Sequence, residues 1–393
     1  KINNKKYKNK IAIKYLDEKI SYNSLYNEIS EYSEIFNKSL KLSHKSKITI
    51  VMENGIDYVI ILFVSAKLNL TIQTLGTYHT KNYLNDKIKK FNPDIIFTSS
   101  YLQDKINTKK KLKVIFDYKE YKYICNSNHI KKSNLKKEIN NKKNYLIVES
   151  SGTTGKSKSI IFDQFTKLKR SLSAKKLYSL NSQDIIIATA PFDHSLGQRL
   201  LFLPIIIGGT LVILKNFHPT NWLQNVKKHH VTFSILVSSQ IHQVIKSEKF
   251  NKSYLQSLKC LVSASFKLSE ETKKKLLIFN FNLFEMYGLS EVGTVTNINL
   301  KEEATKLKSV GRVFQNNKIK IIKDNKYAKN FEIGEIVCGT NYEFSGYLNL
   351  QKKKRDFFKN YLRTGDMGYM DNEKYLYFFG RKKNIIKSSG INI

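Results

Sequence analysis

The residues best suited to chemistry lie in one short stretch. The apolar run Tyr145-Leu146-Ile147-Val148 leads through Glu149 into Ser150, Ser151, Gly152, Thr153, Thr154 and Gly155, followed by Lys156, Ser157 and Lys158. Glycines let backbone approach an anion closely, hydroxyls and exposed amides donate hydrogen bonds, and a lysine neutralises charge. That combination suits a polyphosphate. A Walker A loop is excluded by spacing: Gly155-Lys156-Ser157 supplies its tail, but the leading glycine would fall at position 150, which is Ser. A plain surface turn does not explain why a strand feeds a Ser/Thr/Gly run in this order. Nucleotide binding follows from the loop; the reaction stays open.

Such a loop needs a strand behind it and layers on both sides. Ile48–Met52 reads as a buried strand, followed by Asn54-Gly55 and a helical pattern over Tyr58–Leu68. Asp94–Thr98, Tyr145–Val148, Asp184–Ala188, Thr210–Leu214 and Phe233–Val237 read as further strands. Strands alternating with helices predict an α/β fold of two Rossmann-like, parallel-type sheets flanked by helices. After about Lys306 the texture changes to short alternating strands (Lys318–Ile322, Gly334–Cys338, Tyr375–Phe379), which predicts a smaller antiparallel, barrel-like subdomain. The division expected is 1–305 for paired α/β subdomains with the phosphate loop, 306–380 for the β-rich part and 381–393 for the segment after it. Lys131–Lys143 is the single low-complexity stretch and reads as an exposed loop or helix face.

Composition narrows the class. A hydrophobic content of 41% with 12% aromatics is globular. Cys125, Cys260 and Cys338 are far apart and form no metal-ligand spacing, which fits a reducing cytoplasm. No stretch reaches the roughly 18 uninterrupted apolar residues of a membrane helix. The net charge of +36 invites a nucleic-acid or anionic-membrane reading. Against it, lysines are spread along the whole chain, and Arg occurs only at 170, 199, 312, 355, 363 and 381. No aromatic-plus-basic RNA signature appears either. A bias towards Lys, Asn and Ile explains the charge, and no specific nucleic-acid partner is expected.

Further segments, in order, resemble the adenylate-forming superfamily of acyl-CoA synthetases, nonribosomal peptide adenylation domains and luciferases. Ser150–Lys158 is similar to its Ser-Gly-Thr-Thr-Gly-x-Pro-Lys-Gly loop, and Tyr287-Gly288-Leu289-Ser290-Glu291 to its Tyr-Gly-x-Thr-Glu segment. Val310-Gly311, Gly334-Glu335-Ile336 with Ser345-Gly346-Tyr347, and Arg363-Thr364-Gly365-Asp366 match further motifs, and Gly380–Gly390 the hinge. The resemblance implies ATP and Mg²⁺ as cofactors. Phosphates would contact Ser150, Ser151, Gly152, Thr153, Thr154, Gly155 and Lys158. Ser265, Phe266, Tyr287, Gly288 and Ser290 would surround the adenine, with Tyr287 stacking on it, although a lone aromatic there is more often core. Asp366 would accept hydrogen bonds from the ribose diol, its bland alternative being a turn carboxylate at a strand end. Arg381 would hold the nucleotide from the hinge side, and Lys383 would be the hinge. Glu291 would bind Mg²⁺, for which hard carboxylate oxygen is suited; a helix N-terminal Glu is the alternative.

Pro191-Phe192-Asp193-His194-Ser195-Leu196-Gly197 resembles a Pro-x-x-His-x-x-Gly segment beside the acyl pocket, with His194 as gating residue. The same residues also read as Phe-Asp-x-Ser, where amino-acid-activating members bind the substrate ammonium through the Asp, here Asp193. The implied reaction is activation of a carboxylic acid to acyl-AMP, with His194 and Lys158 as catalytic residues. A thiol of CoA or of a carrier-protein phosphopantetheine arm then accepts the acyl group. An acyl- or aryl-CoA synthetase is the first reading. An amino-acid adenylation domain is the second, and a non-catalytic nucleotide- or nucleic-acid-binding protein is the rival of another class. Three departures stand out: Ser157 for Pro, Ser159 for Gly, and Val262–Leu268 where the family has a glycine pair against adenine. The family also carries a mobile C-terminal domain with an essential lysine, so a chain ending at Ile393 is expected to turn over poorly.

Overall fold

The computed structural model describes residues 5–106, 112–115, 144–150, 158–348, 356–384, 387–388 and 391–392. These residues form two compact units, one holding the chain up to Phe217 together with Ser345–Leu348, the other holding His218–Phe344 and the described residues from 356 onward.

In the first unit a seven-stranded sheet runs in the order Gly346–Tyr347, Lys158–Asp163, Asn144–Ser150, Thr71–Thr74, Lys47–Val51, Ile95–Thr98, Leu112–Ile115. Its pairs are parallel except where Lys158–Asp163 meets its two neighbours. The strands are apolar on both faces because helices cover both. Ile48, Ile50, Ile72 and Leu146 have no exposed surface. The helix Ile56–Leu68 is hydrophobic all round, as a core helix must be, with Val59, Ile60, Ile61, Leu62 and Val64 fully buried. It stops at Asn69, which takes the left-handed conformation of a C-cap. Ile185–Ala188, Thr210–Ile213 and Ile11–Tyr15 form a second parallel set, with Glu18–Ser21 added antiparallel.

In the second unit Phe233–Val237, Cys260–Ala264 and Asn282–Leu289 run parallel, and Gly293–Asn299 and Arg312–Val313 extend them antiparallel. A separate six-stranded sheet is antiparallel throughout, with Tyr361–Met370 at its centre between Gly334–Gly339 and Leu376–Arg381. Its core side packs Val292, Val295, Ile321, Ile336, Cys338 and Leu376. The predicted α/β class with an antiparallel β-rich part is therefore the observed one. No helix among the described residues is long and apolar enough to cross a membrane. The Lys131–Lys143 stretch lies outside the described residues.

Candidate active site

In the second unit, Asp366 sits inside a long strand. The Thr364-Gly365-Asp366 triplet, which in sequence reads as a tight turn, is a bulge within Tyr361–Met370, where the register against Gly334–Gly339 slips between Glu335 and Val337. Gly365 supplies the positive φ, +71°, that the bulge needs. Thr364 Oγ1 donates to the Ile336 carbonyl (2.7 Å) and accepts from Asp366 N (3.0 Å), so the bulge is tied down on both sides. The Asp366 carboxylate is buried. Its Oδ2 accepts from Tyr287 Oη at 2.8 Å. Oδ1 lies 2.7 Å from Arg381 Nε but takes no aligned hydrogen bond. Burial pushes this carboxyl above the ordinary aspartate range, the Arg381 charge and the Tyr287 hydrogen bond oppose the rise, and the Glu291 and Glu335 charges add to it. A buried carboxylate with one oxygen still lacking an aligned donor is ready to accept from a hydroxyl.

Glu291 occupies the turn joining Asn282–Leu289 to Gly293–Asn299, where the alternative reading had a helix N-terminus. Gly288 is required beside it: a Cβ there would meet the Gly293 carbonyl oxygen at 2.1 Å. Among the described residues no group of three or more His, Cys, Asp or Glu could hold a metal. Tyr287 is buried in the core cluster with its ring 6.1 Å from that of Phe378. Ser265 stands in for a glycine literally, adopting φ +74°. The following Phe266 is 72% exposed. Beneath this turn, Glu285 Oε1 accepts from Leu268 N at 2.9 Å while its carboxylate pairs with the buried Lys273. Lys383 is exposed in the short helix Lys382–Asn384. The second unit thus brings Tyr287, Asp366 and Arg381 into contact, and the Glu291 charge adds to the rise of the Asp366 carboxyl.

In the first unit, Ser151, Gly152, Thr153, Thr154 and Gly155 lie outside the described residues, and Ser150 closes the strand Asn144–Ser150. Lys158 opens the return strand, its Nζ 4.8 Å from the centroid of the Tyr347 ring. At the base of this hairpin Ser159 Oγ donates to Glu149 Oε1 (2.5 Å), and Glu149 Oε2 pairs with Lys87 Nζ (2.5 Å). The departure from glycine at 159 thereby gains a cross-strand hydrogen bond. The Ala190–His194 loop is pinned by Asn54, whose amide donates to the Ala190 and Leu214 carbonyls while its oxygen accepts from Phe192 N. His194 is the N-cap of the helix Ser195–Ile207. Gly197 lets that helix close on the loop, since a Cβ would meet the Pro191 carbonyl oxygen at 1.9 Å. Asp193 is buried, and Tyr78 Oη lies 3.0 Å from its Oδ2 and 2.9 Å from His194 Nε2. Tyr78, Asn54, Lys87 and Glu149 were not singled out from sequence. Tyr78, Asn54 and Lys87 lie far along the chain from the motifs they support, Glu149 adjoins its own, and the Asn54-Gly55 pair reads only as a turn.

The family model described as AMP-binding enzyme matches residues 1–348 of the 393. This chain belongs to the AMP-binding enzyme family. Among relatives of this AMP-binding enzyme, the 2-succinylbenzoate–CoA ligase of Bacillus subtilis is 28% identical over 253 residues, 63% of this chain and 51% of the relative. That of Bacillus pumilus is 24% identical over 391 residues, 98% of this chain and 77% of the relative. The indoleacetate–CoA ligase of Aromatoleum aromaticum is 28% identical over 252 residues, 63% of this chain and 49% of the relative. In the first and third matches the chain spans about half the length of the relative. Two solved structures share the fold. The o-succinylbenzoate CoA synthetase (MenE) from Bacillus subtilis in complex with the acyl-adenylate intermediate OSB-AMP superposes with a TM-score of 0.84 at 21% identity, over 98% of this chain and 78% of that one. ATP-bound MatB from Rhodopseudomonas palustris gives 0.88 at 19%, with the same coverage.

Proposed function

We propose that this AMP-binding enzyme activates a carboxylic acid with ATP, forming an acyl-AMP and pyrophosphate, and passes the acyl group to the thiol of CoA. The observation that carries this reading is the buried Asp366 carboxylate, positioned by a bulge and by Tyr287, with Arg381 beside it and one oxygen lacking an aligned donor. In this reading Asp366 accepts from the ribose diol and Arg381 holds the nucleotide. Tyr287, Gly288, Ser290, Ser265 and Phe266 surround the adenine. Ser150–Gly155 and Lys158 bind the phosphates, and Lys383 serves as the hinge. Glu291 would hold Mg²⁺, which when bound neutralises phosphate charge. The acid's carboxylate oxygen forms a bond to the α-phosphorus as the bond to pyrophosphate breaks. The thiol sulfur then bonds the acyl carbon as AMP leaves. Lys158 and the loop amides stabilise the departing charge, and His194 gates the acyl side. The work belongs in a reducing cytoplasm, consistent with buried free thiols at Cys260 and Cys338.

CoA ligases are the relatives named above, and Asp193 speaks against the amino-acid reading: it is buried and its Oδ2 already lies within hydrogen-bonding distance of a phenol. ATP–pyrophosphate exchange with 2-succinylbenzoate, indoleacetate and the proteinogenic amino acids tests the proposal. Exchange that depends on an aryl or alkyl acid supports it. Exchange driven by an amino acid, or salt-dependent duplex binding without ATP binding, overturns it.

A further inference from the structure

We infer that Tyr78 is a positioning residue for the acyl gate: its hydroxyl fixes which nitrogen of His194 carries the proton and holds the ring in one orientation. The inference rests on the reading of His194 given above. Tyr78 follows the strand Thr71–Thr74 and precedes the helix Lys81–Phe91, whose N-cap Thr80 accepts from Tyr83 N. Its ring lies nearly parallel to the His194 imidazole, centroids 5.9 Å apart and planes 14° apart. The phenol has a single proton, and two partners stand within reach: Asp193 Oδ2 at 3.0 Å and His194 Nε2 at 2.9 Å. A carboxylate only accepts, so the phenol donates to Asp193 and must accept from His194. His194 therefore carries its proton on Nε2 and leaves Nδ1 as the acceptor. Direct contact cannot replace the phenol, because His194 Nε2 and Asp193 Oδ2 are 3.9 Å apart.

A second observation supports a built contact. Gly76 is the reason Tyr78 can fold back onto Asp193. A Cβ at 76 would meet Tyr78 Cε1 at 2.1 Å and Asp193 Oδ2 at 2.7 Å. Tyr78 is 57% exposed, so a methyl at 76 would push its ring outward.

Two variants test this in the full chain, Tyr78→Phe, which keeps the ring and removes the hydroxyl, and Gly76→Ala, which keeps the hydroxyl and removes its seat. The primary readout is the ¹⁵N signature of His194, assigned by its loss in His194→Gln. It is independent of turnover and therefore separate from the proposed function. The unaltered chain is expected to show the Nε2–H tautomer, and both variants a mixture, while the six histidines other than His194 and His79, whose ring lies 4.3 Å from that of Tyr78, keep their signals. In acid-dependent ATP–pyrophosphate exchange with 2-succinylbenzoate, both variants are expected to lose about 3- to 10-fold in kcat/KM for the acid, the worth of one ordinary hydrogen bond, with KM for ATP unchanged. An Nδ1–H tautomer in the unaltered chain, or an unchanged signature in Tyr78→Phe, overturns the inference. So does an equal rise in KM for ATP.

Discussion

Replacing Asp366 by asparagine separates its charge from its shape. The asparagine oxygen can still accept from Tyr287, so what is removed is the negative charge and the charge-assisted bond to a ribose hydroxyl. Hydrogen bonds to charged groups contribute about 1.5–3 kcal/mol, which is about a 10- to 150-fold loss of ATP affinity. Stability moves differently. Burial pushes the Asp366 carboxyl above its ordinary range. A folded pKa above the unfolded one means the fold favours the protonated form. The carboxylate therefore subtracts stability at neutral pH, and that loss is recovered as pH falls through the folded value. Asparagine removes this cost but gives up the Arg381 pair, and Arg381, whose side chain is 33% exposed, returns to water. The two effects offset, leaving Tm within about 4 °C. Calorimetric titration with Mg·ATP at fixed ionic strength and a thermal scan read both quantities. Affinity within twofold of the unaltered chain would refute the ribose assignment, and a collapse of Tm would assign the loss to folding.

Arg381→Ala removes the charge that opposes the rise of the Asp366 carboxyl. ATP affinity is therefore expected to fall at a higher pH than in the unaltered chain as pH is lowered, and an unshifted profile between pH 5 and 8 would contradict this. Gly197→Ala forces the helix Ser195–Ile207 away from the Pro191 carbonyl; KM for the acid is expected to rise while KM for ATP holds, with a stability loss of about 1–3 kcal/mol in denaturant unfolding. Glu149→Ala leaves Lys87, whose side chain is 14% exposed, without its carboxylate, a loss of about 3–5 kcal/mol. The double variant Glu149→Gln with Lys87→Met is expected to recover most of it, and a failure to recover would mean the pair is not the reason.

The parallel strands were legible because a strand covered on both faces must be apolar on both. Ile48–Met52 and Phe233–Val237 could be read directly, and the structure moves their ends by a residue at most. The change of texture after Lys306 was legible for the opposite reason, since strands with one wet face alternate. The bulge at Asp366 is not legible because a Thr-Gly-Asp triplet carries the same signal in a turn and in a bulge. Only pairing on both sides distinguishes them, and pairing is not local. Ser265 was read as a lost glycine, whereas the backbone keeps the glycine-like φ with a serine in place. Such residues cost about 1–3 kcal/mol and concentrate at functional sites. Tyr78 and Asn54 were invisible for a third reason: they act on a loop more than a hundred residues away, through contacts no spacing rule records.

Hydrogen–deuterium exchange of the chain with and without Mg·ATP reads the Asp366 bulge and the Glu291 turn in one experiment. Joint protection of residues 288–293 and 362–367, with one midpoint in ATP concentration that Asp366→Asn moves about 10- to 150-fold higher, is the expected result. Protection of neither segment at ATP concentrations that saturate binding would contradict a nucleotide held by this carboxylate.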